Sequence, residues 1–298
     1  MKQDKDKQKS NILKKERVII LTFDLEDWFH SKNFSIPYET WDNQPSLLID
    51  NTKMILDILD LYNIKATFFT LGWIAEKYPE LIKDIYKKGH EVASHGYKHD
   101  YIYEMQPNDF RNDLKITKNI IENLIGVKVI GYRAPVFSVT ATSINILTEE
   151  GYLYDVSYFP LKIHDRYSKN IEFSSFKSVV RKNGYYLIDK SFYEIEIPIL
   201  AGIPIGGGGY FRLSPLFLWN ISVETYLKTV RTYYIMYLHP WDFDHKNYVR
   251  ISNLGFKNQF RQYVGLSYSK KKFLGFLNKF SKNYIFLRIR DLIERWKI

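Results

Sequence analysis

The sequence predicts a parallel α/β fold, barrel-like or doubly wound, and three observations predict it. Short β-branched runs alternate with stretches of helical apolar spacing at least four times. The helical stretches close on glycines, Gly89, Gly126 and Gly151. Most of the strand-like runs end in polar residues able to do chemistry, as expected where a site lies at the carboxyl ends of parallel strands.

The elements follow in order. Residues 1–16 are polar and Lys-rich and read as a disordered basic tail. Residues 17–23, RVIILTF, form a buried strand that runs into Asp24, Glu26 and Asp27. Leu47–Tyr62 carries apolar residues at helical spacing, and 66–71 is a second strand. Residues 73–88 read as one helix. His90–Ser94 is a third strand, closing on His95. A helix over 107–125, a strand over 128–132, a helix over 142–150 and a strand over 153–156 repeat the unit. Residues 161–190 are loop-rich, and 195–199 is a strand. The four glycines 206–209 read as a flexible or close-approach loop, because no phosphate-loop Lys follows. Residues 233–238, YYIMYL, are an apolar strand ending at His239. The tail from Lys271 reads as a helix, a short strand over 284–287 and a final helix. With no repeat and no clear linker, residues 17–298 are expected to form one domain.

Composition narrows the chemistry. The 298 residues include no Cys, which excludes disulfides, thiolate metal sites and Cys nucleophiles. The 24 Tyr, 20 Phe and 6 Trp offer faces on which sugar rings stack. The net charge of +10 sits largely at the two ends. No nucleic-acid recognition motif accompanies it. The basic, aromatic segment from about 244 to 298 fits contact with a membrane surface or a synthase partner. No apolar run is long enough to span a bilayer, and the first residues lack the apolar centre of a signal peptide, so a cytoplasmic location is expected, either free or at the inner membrane surface.

Four local patterns carry chemistry. His95 and His99 stand at i and i+4, the familiar spacing of two ligands to one divalent ion if the segment turns helically. Asp24, Glu26 and Asp27 crowd three carboxylates after a buried strand, and a metal or an arginine would relieve their repulsion. Arg133-Ala134-Pro135 follows a strand, and its Arg can fork onto a carboxylate. His239 ends another strand and is a candidate general acid, with Asp242 three residues on to orient it.

Taken in order, Thr22-Phe23-Asp24, His95-x-x-x-His99, Arg133-x-Pro135 and His239 resemble the motifs of the polysaccharide deacetylase family, also called the NodB-homology or carbohydrate esterase 4 family. Asp24-Leu25-Glu26-Asp27-Trp28-Phe29, the Gly-Gly-Tyr-Phe-Arg-Leu run ending at Leu213 and His239-Pro240-Trp241 resemble its exopolysaccharide-cluster branch, which has an extra C-terminal segment. The resemblance implies an α/β fold that is a distorted (β/α) barrel with fewer than eight complete units. It implies a divalent ion, usually zinc, held by His95, His99 and a carboxylate. It makes Asp24 the base, Arg133 the residue that orients it and His239 the acid. The family's paired Asp is broken here by Leu25. The ligand is then Glu26, which shares a strand face with Asp24, or Asp27, whose side chain has the usual length; the reading leans to Asp27. A further family Asp, which tunes the acid His, is Asp155 or Asp242.

The implied reaction is removal of acetyl from an N-acetylated amino sugar of a polysaccharide or its precursor. A backbone N–H near Tyr132–Ala134 would join the metal in holding the oxyanion. Trp28, Tyr132, Pro135 and Trp241 would contact the glycan. A C–N hydrolase of the same fold acting on a cyclic amide or ureide, or a non-catalytic glycan-binding relative, is the competing expectation.

Overall fold

The computed structural model of the protein describes residues 17–161, 171–182, 184–244 and 256–297. The expected tail over 1–16 lies outside them.

The first half is built of β1 (Val18–Leu25), α1 (Leu48–Leu61), β2 (Thr67–Thr70), α2 (Gly72–Lys77), α3 (Pro79–Lys87), β3 (Glu91–Ser94), α4 (Pro107–Ile125), β4 (Gly131–Tyr132), α5 (Ala141–Glu149) and β5 (Tyr154–Tyr158). The second half adds β6 (Val179–Arg181), β7 (Tyr185–Ile188), β8 (Phe192–Glu196), β9 (Ile199–Leu200), β10 (Ile203–Pro204), α6 (Gly208–Leu213), α7 (Leu216–Thr229), β11 (Tyr233–Leu238), α8 (Phe256–Tyr263), α9 (Leu266–Phe280), β12 (Ile285–Phe286) and α10 (Ile289–Lys297).

One sheet runs in the order β11-β1-β2-β3-β4-β5-β8-β7-β6. Pairing is parallel from β11 to β8 and antiparallel over β8, β7 and β6. Helices cover its outer face. The sheet curls as a barrel does, but among the described residues no pair of strands closes it, which fits a distorted barrel with fewer than eight units. β12 pairs with the first residues of β1, and β2 with the last ones. β1 is buried along its whole length, as a central parallel strand must be.

Two apolar clusters follow from this geometry. One lies between sheet and helices, around Phe23, Phe68, Leu114 and Phe276. The other fills the interior of the curl with Val18, Ile20, Phe69, Val156 and Ile235, and it takes in Ile289, Leu292 and Ile293 of α10. The last helix therefore plugs the amino-terminal end of the curl. There the Ile289 N–H donates to Thr67 Oγ1 at 3.0 Å and the Arg290 N–H to Glu91 at 3.1 Å.

Three expectations differ from the structure. The helix expected over 73–88 is two, because Pro79 opens a second helix and Tyr78 breaks between them. The loop-rich stretch after 161 contains the β6–β7 hairpin, whose residues are partly exposed and carry little apolar period. The glycine run leads into a short helix, α6, with Gly207 at its N-cap.

Candidate active site at the carboxyl ends of the strands

β1, β3, β4 and β11 deliver their groups to the same end of the sheet. Asp24 is in the last turn of β1, and Glu26 follows it by two residues, so both point to one side. His95 comes directly after β3. His99 follows through a turn, not a helix: Gly96 has φ +75° and His99 itself φ +59°. The i, i+4 pair thus converges by left-handed backbone, and Gly96 supplies the conformation that an L side chain resists. The Asp113 carboxylate pins this turn by accepting from the Tyr97 N–H at 2.9 Å.

His95 Nε2 lies 3.6 Å and His99 Nε2 3.4 Å from the two oxygens of Glu26. All three side chains are buried, and their donor atoms lie within 4.8 Å of one another. His95 Nδ1 bonds the Arg133 carbonyl at 2.7 Å, which leaves Nε2 to face Glu26. Burial lowers the His99 imidazole to about 4, so it is neutral near pH 7. Burial pushes the Glu26 carboxyl up, but His99, His239 and His95 outweigh it and hold it well below the usual range. Two imidazole nitrogens and one carboxylate are a fitting donor set for a divalent ion with open positions.

Asp27, to which the sequence reading leaned, sits elsewhere. Its carboxylate accepts from the Trp28 N–H at 2.8 Å and caps the turn Trp28–His30. It also faces Ser46 and the N–H groups of Leu47 and Leu48, and burial raises it to about 6. The strand alternation carries on past Asp24, which turns Glu26 inward and Asp27 away toward the start of α1.

Arg133 is fully buried. Its guanidinium meets Asp24 Oδ1 at 2.5 Å, Thr22 Oγ1 at 2.9 Å and the Val156 carbonyl at 3.2 Å, and it lies over the Phe69 ring. Asp24 is thereby held in one rotamer with its other oxygen free toward the pocket. His239 Nε2 stands 3.9 Å from that oxygen and 3.3 Å from Glu26. On its other side Nδ1 meets Asp242 Oδ2 at 3.1 Å. Burial disfavours the charged ring, yet Asp242 and Glu26 raise His239 to about 10. Asp24, Glu26 and His239 also lie within ligand reach of each other. A protonated His239 lends that group no nitrogen lone pair, which favours the His95–His99 side.

Of the two residues considered for tuning the acid, the structure places Asp242 on His239. Asp155 instead accepts from the Ser157 hydroxyl and the Val156 N–H and is paired with buried Glu194; burial raises both. The backbone donors near Tyr132–Ala134 are already engaged: the Arg133 N–H bonds the Ser94 carbonyl, and the Ala134 N–H bonds Ser157 Oγ at 2.7 Å. Val136, just beyond, adopts φ +52°, strained for a β-branched residue, at the mouth of the same loop.

The residues expected to touch a glycan divide. Tyr132 is buried against Phe110 and Tyr152 and is core, because its strand turns it away from the pocket. Pro135 is buried beside Gly96. Trp28 is half-buried, with its indole N–H donating to the Pro45 carbonyl at 2.9 Å. Trp241 stacks on His239 itself, centroids 4.5 Å apart.

Arg212 was missed. It is buried, its Nε lies 2.8 Å from Asp242 Oδ1, and its guanidinium donates to the Gln262 and Val264 carbonyls. It holds Asp242 below the usual carboxylate range although burial opposes this. Gly208 belongs to the same arrangement, since a Cβ there would collide with the Asp242 carboxylate. The Gly-Gly-Tyr-Phe-Arg run was the available signal, but its partner lies thirty residues on.

Residues 12–154 match the family model described as polysaccharide deacetylase. Residues 12–154 thus carry a polysaccharide deacetylase domain. Residues 156–293 match a second model, the domain of unknown function DUF3473, so a deacetylase domain and this segment share one sheet. Similar curated proteins include a peptidoglycan-N-acetylglucosamine deacetylase of Bacillus cereus, 33% identical over 126 residues, covering 40% of this chain and 45% of that one. A peptidoglycan deacetylase of Helicobacter pylori is 31% identical over 103 residues, 35% of each chain. The chain therefore spans less than half the length of these relatives. Among solved structures, a putative polysaccharide deacetylase from Mycobacterium smegmatis aligns over 94% of this chain and 90% of its own, with a TM-score of 0.60 and 17% identity. The Bc1960 peptidoglycan N-acetylglucosamine deacetylase aligns over 93% and 87%, with a TM-score of 0.51 and 18% identity. Both share the fold.

Proposed function

We propose that this protein is a metal-dependent N-deacetylase that removes acetyl from an N-acetylated amino sugar of a polysaccharide or its precursor. The observation that carries this reading is the meeting of Glu26, His95 and His99 between an Arg-held carboxylate, Asp24, and an Asp-held imidazolium, His239. The family model matched by residues 12–154 and the names of the similar proteins point to the same chemistry.

Glu26, His95 and His99 would hold the ion, with zinc the best fit to two nitrogens and one oxygen. When bound, such an ion supplies Lewis-acid polarisation of the acetyl carbonyl and acidifies water. Asp24 takes the proton from the attacking water, and Arg133 keeps its carboxylate aimed. His239 donates its proton to the departing amine nitrogen as the C–N bond breaks, giving acetate and a free amino sugar. Asp242 keeps that imidazole charged and oriented, and Arg212 fixes Asp242.

The test is acetate release from N-acetylglucosamine oligomers by the metal-loaded protein. Release by the wild type and a loss of several orders of magnitude in Asp24→Asn, with bound metal retained, support the assignment. Acetate release by Asp24→Asn at the wild-type rate would remove Asp24 from the role of base.

A further inference from the structure

Helix α7 is apolar on both sides. Trp219, Val223, Tyr226 and Leu227 pack inward, while Phe217, Leu218 and Ile221 on the outer side are 64%, 48% and 55% exposed. Six of the eleven large hydrophobic residues exposed among those described fall between 213 and 268: these three with Leu213, Phe260 and Tyr268. They sit together. The Arg212 guanidinium binds the Gln262 and Val264 carbonyls at the α8–α9 junction, Lys272 donates to the Arg212 and Ser214 carbonyls, and a Cβ on Gly275 of α9 would meet the Leu216 side chain. A helix that is apolar all round, with its outer side in water, needs a cover.

Charge identifies the cover. Between Asp244 and Asp291 the sequence has eleven Lys and Arg and no acidic residue. Lys271 and Lys282 are exposed on and just after α9, and Lys228 and Lys279 flank Glu224, the one acidic residue of α7. Exposed apolar side chains on one helix beside a neighbouring helix rich in Lys match the headgroup region of an anionic bilayer. Among the described residues no helix is long and apolar enough to cross a membrane, so the contact is one of lying on the surface.

We propose that the outer face of α7, together with the α8–α9 junction, docks on an anionic lipid surface. This does not depend on the deacetylase reading. It adds to it, because Leu213 on this face adjoins Arg212, which grips Asp242 and, through it, His239. A docked protein would hold its pocket beside glycan carried on lipid.

The test is sedimentation of the full chain with vesicles of phosphatidylcholine alone or mixed with phosphatidylglycerol. Binding is expected to the mixed vesicles only, weakening as salt rises. The double variant Phe217→Ser/Ile221→Ser should lower partitioning at least about tenfold, and Lys271→Glu severalfold. Both should keep the wild-type melting temperature and the wild-type rate of acetate release from a soluble oligomer. That second readout separates failure of docking from failure of the deacetylase assignment. No binding to the mixed vesicles overturns the proposal. So does binding that the double variant leaves intact, which would assign it to the Lys-rich first residues. Dissociation of a protein complex by the double variant, without vesicle binding, also overturns it in favour of a protein partner.

Discussion

The roles of neighbouring carboxylates are set by which way each side chain leaves the strand. Glu26 and Asp27 are adjacent and both buried, yet one faces two imidazoles and the other caps a turn. Glu26→Gln should therefore abolish metal binding, whereas Asp27→Ala should keep about one ion per chain and cost stability instead, about 1–2 kcal/mol for a lost cap. Metal analysis and denaturant midpoints on the two variants check this; metal lost from Asp27→Ala alone would reverse the assignment. His95, Arg133 and His239 were legible in the sequence because each closes an apolar run, and His99 because of its spacing from His95. The choice between Glu26 and Asp27 was not, because alternation and side-chain length argued in opposite directions and alternation prevailed. Arg212 was illegible for a different reason. Its meaning lies in a contact with Asp242, made only once α6 and the turn after β11 pack together.

At the scale of elements, turns and breaks do the positioning. The His95–His99 spacing looked helical, but the segment is a loop in which Gly96 and His99 take positive φ and Asp113 holds the backbone. The glycine run at 206–209 is another case. Gly208 lies against the Asp242 carboxylate, while a Cβ on Gly209 would meet nothing within 4 Å. Gly208→Ala should push Asp242 off His239 and lower kcat by roughly 10- to 100-fold, in keeping with the cost of small misplacements of catalytic groups. Gly209→Ala, in the same helix, should leave kcat near the wild-type value. Equal kcat in the two variants would mean that Asp242 does not position the acid. Long, strongly patterned elements such as β1, α1, α4 and β11 were readable from period alone, while the β6–β7 hairpin, half-exposed and short, gave no period to read.

The whole molecule stores acidic protons in its interior. Burial raises Asp113 to about 7 and Asp155 to about 6, and lifts Glu194 well above the usual range. Each binds a proton in the folded state at a pH where the unfolded chain has released it. Stability from these groups is therefore complete below about pH 4 and falls as pH rises through about 6–7, the reverse of an ordinary ion-paired carboxylate. Buried His30, His90 and His99, which are lowered, act in the opposite direction over the same window, so the readout is a difference: between pH 4.5 and 7.5 the melting temperature of Asp113→Asn should fall less, or rise more, with pH than that of the wild type, and an unchanged slope in that variant would rule Asp113 out as a source. The same interior is closed from below by α10, so the segment matched to DUF3473 provides the floor of the curl as well as Arg212, His239 and Asp242 at its top. The alternation of strands and helices announced the curl, but the length of chain between β8 and β12 hid that its last helix returns to the start of β1.

The proposed chemistry needs one ion bound between β1 and β3, and an anomalous-scattering map of zinc-loaded crystals tests for it directly. The expected result is a single peak within coordination distance of His95 Nε2, His99 Nε2 and a Glu26 carboxylate oxygen, at about 2.0–2.2 Å. A peak at Asp27, a peak enclosed by Asp24, Glu26 and His239, or no peak in this pocket would contradict it.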